Sequence, residues 1–196
     1  MFRPKEKDKL QNASSARKRT SYKKTQAKEN RNKTKKEEKE KEKSALSSID
    51  LVSMLKNQDN FIGVFAADEL KNLSICKFPA FLVVNIMDRN YLQGHWISLR
   101  IDRQNIEIFD SLGCEPTNWG HYPLALFKFL NSYSHSHSFT VSPLLQPAYS
   151  HLCGFYCVFY ILGRQNRTFR KLLKIFSRDL DRNDEILCTQ LNKMLG

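Results

Sequence analysis

The sequence predicts an α+β fold in which helices flank a central antiparallel sheet. Three segments between residues 81 and 109 have the β-branched or alternating apolar patterns of strands, and short turns separate them. Because such connections are too short to hold a crossover helix, consecutive strands are expected to run antiparallel. Helical patterns lie before and after these strands, an order typical of α+β domains.

Apolar spacing and capping residues place the individual elements. Ser48 or Asp50 can cap a first short helix that carries Leu51, Met54 and Leu55 on one face. The remaining elements are predicted as a helix over 66–73, strands over 81–87, 95–101 and 106–109, and helices over 124–130, 153–162, 168–176 and 181–195.

The positive charge of the chain is concentrated in its first 45 residues. Of the 32 Lys and Arg and the 20 Asp and Glu residues, 17 and 7 lie in residues 1–45, a net charge of +10, which leaves +2 for residues 46–196. The first segment has few apolar groups, so we expect a disordered basic arm, followed by one folded domain over 46–196. A nearly neutral domain argues against a wholly basic nucleic-acid-binding fold.

Two charge patterns suggest what the arm does. Lys35–Lys43 mixes both signs at helical spacing and is expected to be a solvated, fluctuating helix. Arg17–Arg19 and Lys23–Lys24 are basic without an intervening acid, which suits nuclear import or the binding of phosphates, with DNA as partner or activator. The alternative is a solvated tail that aids solubility.

The composition argues against membrane, secreted and metal-binding classes. No apolar run approaches the roughly 20 residues that span a membrane, and no apolar segment follows the basic N-terminus as in a signal peptide. The five cysteines are therefore expected to be reduced thiols. Zinc is not expected, because Cys153 and Cys157 lack a second ligand pair other than His135 and His137.

Three local clusters contain residues that can carry chemistry. Gly94-His95-Trp96 opens a strand, Phe109-Asp110-Ser111 closes the next one, and Gln146 precedes Cys153-Gly154 at the start of an apolar helix. Taken singly, each has a structural interpretation: a satisfied histidine, a turn-forming aspartate and a small core cysteine. Together they favour catalysis, because the hairpin makes His95 and Asp110 neighbours across the sheet.

These residues could fill every role of a thiol acyl-transfer site. Cys153 lies at a helix N-terminus, which favours a thiolate nucleophile. His95 would be the general base, held in one tautomer by Asp110. Gln146 and the amide of Cys153 would donate to an oxyanion. His151 is a rival base close to Cys153 in sequence, but it has no evident carboxylate partner.

The order His, Asp, Gln, Cys resembles that of a known peptidase family. Gly-His-Trp, Phe-Asp-Ser and Gln-x6-Cys-Gly-x-x-Cys are similar to motifs of the adenovirus protease (adenain) family, in particular its members in polinton- and adintovirus-type elements. The resemblance spans about residues 60–165 and includes Phe61–Phe65, similar to the family's Phe-Leu-Gly segment. The SUMO-specific Ulp proteases share the clan, with a Gln-to-Cys spacing usually one residue shorter. The resemblance implies an adenain/Ulp-like cysteine-peptidase fold with papain-like site geometry.

Matched motif by motif, the resemblance implies catalytic roles for Cys153 as nucleophile, His95 as base, Asp110 as acidic member and Gln146 as oxyanion donor. It also implies that Trp96 flanks the substrate channel. We expect Gly94 and Gly154 to be further substrate-binding positions, since Gly154 leaves room for a substrate to approach.

Two features of adenain bear on activation. Adenain takes up an activating viral peptide through a cysteine upstream of the glutamine, but the equivalent position here lies near His135 and is not a cysteine, which argues against that route. Adenain also uses DNA as a cofactor, and here residues 1–45 would make that contact. No other cofactor or metal is expected.

Three functions from different classes fit these observations. The leading one is a monomeric cysteine endopeptidase that processes viral or virus-like capsid or core precursors, in the virion and host nucleus or alternatively the cytoplasm. The second keeps the fold and removes ubiquitin-like modifiers from proteins. The third is a basic-armed nucleic-acid packaging protein without enzymatic activity. The presence of all four catalytic residue types favours an enzyme.

Overall fold

A mixed five-stranded sheet forms the centre of the domain. The computed structural model describes residues 45–91, 94–113, 122–133 and 137–196, so the predicted arm lies outside the described residues apart from Ala45. The elements are α1 (Ser48–Leu55), β1 (Phe61–Ala66), a 3₁₀ helix (Ala67–Asn72), β2 (Ala80–Asn85), β3 (Trp96–Ile101), β4 (Asn105–Phe109), α2 (Leu124–Asn131), β5 (Ser138–Val141), α3 (Cys153–Arg164), α4 (Phe169–Leu173), a second 3₁₀ turn (Leu180–Arg182) and α5 (Asn183–Leu195). The predicted α+β class is confirmed.

The strands lie in the sheet in their chain order, from β1 at one edge to β5 at the other. The middle three form the predicted antiparallel meander, but β1 is parallel to β2 and β4 is parallel to β5. The predicted antiparallel arrangement is confirmed for the middle three strands, whereas the two edge strands were not predicted and make the sheet mixed. The first 3₁₀ helix lies in the β1–β2 connection and α2 lies in the β4–β5 connection, so both connections are long enough for the crossover that a parallel pair needs.

The sequences of the two edge strands, β1 and β5, lack the regular apolar pattern that would predict a strand. β5 has only four residues, which alternate between exposed and half-buried positions. β1 contains Gly63 at φ 147°, where the pairing register with β2 shifts between Phe61 and Gly63. A glycine at positive φ within a short apolar segment weakens the strand pattern.

The first helix begins with a different cap from the one predicted. Ser47, rather than Ser48 or Asp50, is the N-cap residue. Its hydroxyl accepts a hydrogen bond from the N–H of Asp50 at 3.3 Å, while the Asp50 carboxylate accepts one from the N–H of Ser47 at 2.9 Å. This reciprocal capping box places Leu51 and Leu55 in the core.

Other helix boundaries also differ from prediction. The segment 66–73 is a 3₁₀ helix rather than an α-helix, and α4 is limited to Phe169–Leu173 because Thr168 caps it and Lys174 ends it. The segment predicted over 181–195 is a 3₁₀ turn followed by α5. None of the helices in the described ranges is long and apolar enough to cross a membrane.

The sheet is buried on both faces, which explains the unbroken apolar sequence of β2. Phe81 and Val83 point into one core with α3, while Leu82 and Val84 point into the other. This is the two-residue alternation of a strand with two covered faces. Helix α3 is apolar on most of its circumference because it lies in the first core, whereas α2 packs on the opposite face of the sheet.

A buried ionic network fixes the C-terminal end of α3 to β4. The Glu107 carboxylate, 5% exposed, accepts hydrogen bonds from Arg164 Nε at 2.7 Å and Arg164 Nη2 at 2.8 Å. It also accepts one from the hydroxyl of Tyr160 at 2.8 Å. Such a bidentate contact between arginine and carboxylate is directional, so it constrains the orientation of α3 on the sheet as well as its position.

Candidate active site

His95 lies immediately before β3, facing the residue that follows β4. Its backbone carbonyl accepts a hydrogen bond from the N–H of Ile86, which continues the β2–β3 ladder by one residue. Its Nε2 lies 2.7 Å from Oδ1 of Asp110, with 13% of the His95 side chain exposed. The structure therefore brings together the two residues that the hairpin pattern makes neighbours.

Asp110 is held by more contacts than the sequence indicates. Its Oδ1 also accepts the N–H of Leu112 at 2.9 Å, and Oδ2 accepts the hydroxyl of Tyr122 at 3.0 Å. On the backbone, its N–H donates to Ser142 Oγ at 2.8 Å, and that hydroxyl donates to the Asp110 carbonyl at 2.6 Å. Both carboxylate oxygens therefore have hydrogen-bond partners, and Asp110 is only 4% exposed, so its side chain is held in one orientation towards His95.

Cys153 is the first residue of α3 and a free thiol with 9% exposure. Leu152 precedes it, and no side chain among the described residues caps this helix. The N–H groups of the first turn therefore place their partial positive charge next to the sulfur.

The imidazole of His95 connects the carboxylate to the thiol. Burial lowers the pKa of His95, but the hydrogen bonds and negative charges of Asp110 and Cys153 outweigh burial and raise it to about 9. Because Nε2 is bonded to Asp110, Nδ1 is the ring nitrogen that remains for Cys153. At neutral pH His95 is therefore an imidazolium placed between two groups that carry or can carry negative charge.

Gln146 lies in the loop before α3 and is 2% exposed. Its Oε1 accepts the hydroxyl of Ser111 at 2.6 Å, and its Nε2 donates to the carbonyl of Ser150 at 2.8 Å. A primary amide has two N–H groups, so one remains for a further acceptor. This is the donor that an oxyanion contact from Gln146 requires.

The three predicted substrate-binding residues lie in different surroundings. Trp96 is half-buried, and its indole N–H donates to the carbonyl of Leu46 at 2.9 Å. A Cβ on Gly154 would come within 2.9 Å of Leu46 Cβ, so Leu46 lies against both positions. Gly94 instead faces Asn85, whose Oδ1 would be only 2.0 Å from an added Cβ.

Several residues that contact the candidate site carry little signal in the sequence. Ser111 follows Asp110 in the Phe-Asp-Ser motif, which is the single local sign of its position. Tyr122, Ser142 and Leu46 have no such sign, because their contacts join residues 12, 32 and 50 positions apart.

The remaining candidates lie elsewhere. His151 is exposed in the loop before α3, and His137 is bonded through its ring nitrogens to the carbonyls of Tyr133 and Asp102. Cys157 is fully buried, and burial raises its thiol pKa well above the usual value. His121, His135 and Cys114 fall outside the described residues. Across the ranges that are described, no group of three or more His, Cys, Asp or Glu side chains could hold a metal ion.

Comparison with known proteins gives only distant structural similarity. No family model matches the sequence, and no curated protein matches it. Among solved structures, a chain of the SUMO protease Ulp1 is 16% identical, with a TM-score of 0.39 over 78% of this chain and 80% of that chain. A chain of XopD of Xanthomonas campestris bound to ubiquitin is 17% identical, with a TM-score of 0.35 over 76% of this chain and 91% of that chain. An ASFV protease is 20% identical, with a TM-score of 0.34 over 56% of this chain and 42% of that one. These values are too low to assign a family.

Proposed function

We propose that this protein is a cysteine peptidase whose nucleophile is Cys153. The observation that carries the proposal is the Cys153–His95–Asp110 series, in which a buried carboxylate holds Nε2 of a histidine that also interacts with a helix-terminal thiol. A base held between an orienting acid and a nucleophile is the arrangement that covalent acyl transfer requires.

The proposed reaction begins from the state in which the thiol proton of Cys153 resides on His95, so that a thiolate faces an imidazolium. The thiolate attacks the carbonyl carbon of a peptide bond, and the oxyanion that forms is bound by Gln146 Nε2 and the backbone N–H of Cys153. The His95 imidazolium then protonates the leaving amine, which departs and leaves a thioester on Cys153. Water, deprotonated by His95, attacks the thioester and releases the acid product.

The substrate class is proposed more specifically as the capsid or core precursors of a virus or virus-like element. The support is the resemblance to the adenain family, which rests on Gly-His-Trp, Phe-Asp-Ser and the six residues between Gln146 and Cys153. Leu46 contacts Trp96 and lies beside Gly154, and we expect a substrate channel bordered by these residues to favour small residues near the cleaved bond.

The direct test incubates the purified full-length protein with the capsid precursors encoded beside it and sequences the fragments. Cys153→Ala and His95→Ala should abolish cleavage while circular dichroism stays unchanged, and Cys188→Ala, which removes an exposed thiol, should cleave normally. Gln146→Ala should lower the rate about 10²- to 10³-fold, the usual effect of losing one oxyanion donor. Near-normal turnover by Cys153→Ala would rule the proposal out.

Activity-based probes separate the proposed endopeptidase from a deconjugating enzyme. A peptide aldehyde and a ubiquitin-like modifier carrying a C-terminal vinyl sulfone both react with an activated cysteine. We expect the peptide probe to label Cys153. Labelling by the modifier probe alone would replace the endopeptidase proposal with the deconjugase.

A further inference from the structure

The orientation of the Gln146 carboxamide is fixed by its two partners. The Ser150 carbonyl can only accept a hydrogen bond, so the amide group 2.8 Å away must be the NH₂ end. The opposite end then accepts the Ser111 hydroxyl at 2.6 Å. Turning the amide over would place two carbonyl oxygens against each other.

Ser111 holds Gln146 through its backbone as well. Its carbonyl accepts the N–H groups of both Leu145 and Gln146, each at 2.8 Å. Leu145 is held from its other side, where its carbonyl accepts Asn183 Nδ2 at 2.8 Å. Ser111 is 1% exposed, so these bonds are formed without competition from water.

The neighbouring residue, Asp110, contacts a different catalytic group, the imidazole of His95. Its side chain bonds to His95, whereas the Ser111 side chain bonds to Gln146. The turn that follows β4 fixes both residues, because the N–H of Gly113 donates to the Asp110 carbonyl at 3.0 Å and Gly113 has φ 65°.

We propose that Ser111 is a positioning residue, which holds the free N–H of Gln146 towards the oxyanion. Two adjacent residues that follow β4 would then position two different catalytic groups. Asp110 would position the base, His95, and Ser111 would position the oxyanion donor, Gln146. The inference rests on the proposed peptidase function, because it assigns Ser111 a part in the same reaction.

Two small reagents that react with the same thiol distinguish a defect in oxyanion binding from a defect in the Cys153–His95 pair. p-Nitrophenyl acetate transfers its acetyl group to sulfur through a tetrahedral oxyanion, which collapses as the ester C–O bond breaks and p-nitrophenolate leaves with its electron pair. Iodoacetamide is attacked at a saturated carbon: the carbon–sulfur bond forms as iodide leaves with its electron pair, and no oxyanion arises. Loss of oxyanion stabilisation should therefore slow the ester reaction alone, while damage to the Cys153–His95 pair should slow both.

The experiment measures both rates for the full-length protein and for Ser111→Ala, with Ser132→Ala as the matched control. Ser132 also donates its hydroxyl over 2.6 Å to a backbone carbonyl, but it lies at the C-terminal end of α2, away from Gln146. Ser111→Ala should lower the ester rate about 10-fold, below the effect of losing a donor outright, and leave alkylation within about twofold. Ser132→Ala should change neither rate.

A double-mutant cycle tests whether Ser111 acts through Gln146. In a Gln146→Ala background, adding Ser111→Ala should lower the ester rate no further, since the group that it positions is already gone. Equal losses in the ester and alkylation rates, or a full further loss in the double variant, would overturn the inference and indicate a general structural role.

A second variant keeps the test decisive if Ser111→Ala does not fold. Ser111→Thr keeps the hydroxyl donor and should preserve the ratio of ester rate to alkylation rate, and a lower ratio would count against the inference. If the unmodified protein shows no selective reaction of Cys153 with either reagent, the proposed function itself fails, which is a different result from an unchanged ratio in Ser111→Ala.

Discussion

The raised pKa of His95 predicts that folding stability falls between neutral and alkaline pH. His95 has a pKa of about 9 in the folded protein and 6.5 as its ordinary value, so the folded state binds more protons between these two pH values. The stabilisation is fully present below pH 6.5 and is lost as pH rises through 9. At about 1.4 kcal/mol per pKa unit, it amounts to on the order of 3 kcal/mol.

The assay is urea unfolding at pH 6 and at pH 9.5 under reducing conditions, with His95→Gln as the reference. Glutamine can still donate to Asp110 but does not titrate, and every other histidine is common to the two proteins. Between pH 6 and pH 9.5, the free energy of unfolding of the unmodified protein should fall by on the order of 3 kcal/mol more than that of the variant. A loss no greater than that of His95→Gln would refute the ion-pair reasoning.

Two further substitutions test the packing around the site. Arg164→Ala removes the two short hydrogen bonds from Arg164 to Glu107 and leaves Glu107 the longer contact with Arg100 at 3.7 Å, so the free energy of unfolding in urea should fall by about 3 kcal/mol. The exposed Arg170→Ala should lower it by about 0.5 kcal/mol or less. Gly154→Ala should push Leu46 away from the start of α3 and so disturb the indole contact of Trp96. We expect a raised KM for peptide substrate in Gly154→Ala, and an unchanged KM would show that Leu46 does not border the substrate channel.

The contacts of the candidate site divide into those that local pattern predicts and those that only packing creates. His95 and Asp110 were predictable as neighbours because one short hairpin joins them, and the start of α3 at Cys153 follows from its apolar sequence. The hydrogen bond from Ser111 to Gln146 joins residues 35 positions apart, across a segment that includes α2 and β5. No local pattern specifies such a contact.

The sheet divides in the same way. The antiparallel centre was predictable from turn length, whereas the parallel edges depend on how two longer connections cross. β5 pairs with β4 through Ser138–Val141, of which no residue is fully buried, so its backbone hydrogen bonds define it more than its side chains do. Pairing of this kind leaves almost no trace in residue type.

The Glu107–Arg164 contact also has a mechanical consequence for the nucleophile. Arg164 lies eleven residues after Cys153, so the helical segment between them is about 16 Å long. A tilt of about 4° about the arginine end would move the sulfur by about 1 Å, a displacement that can cost a catalytic site about 100-fold in rate. Glu107 lies in β4 and Asp110 directly follows that strand, so one chain segment holds both the C-terminal end of α3 and, through Asp110, the histidine that Cys153 must reach.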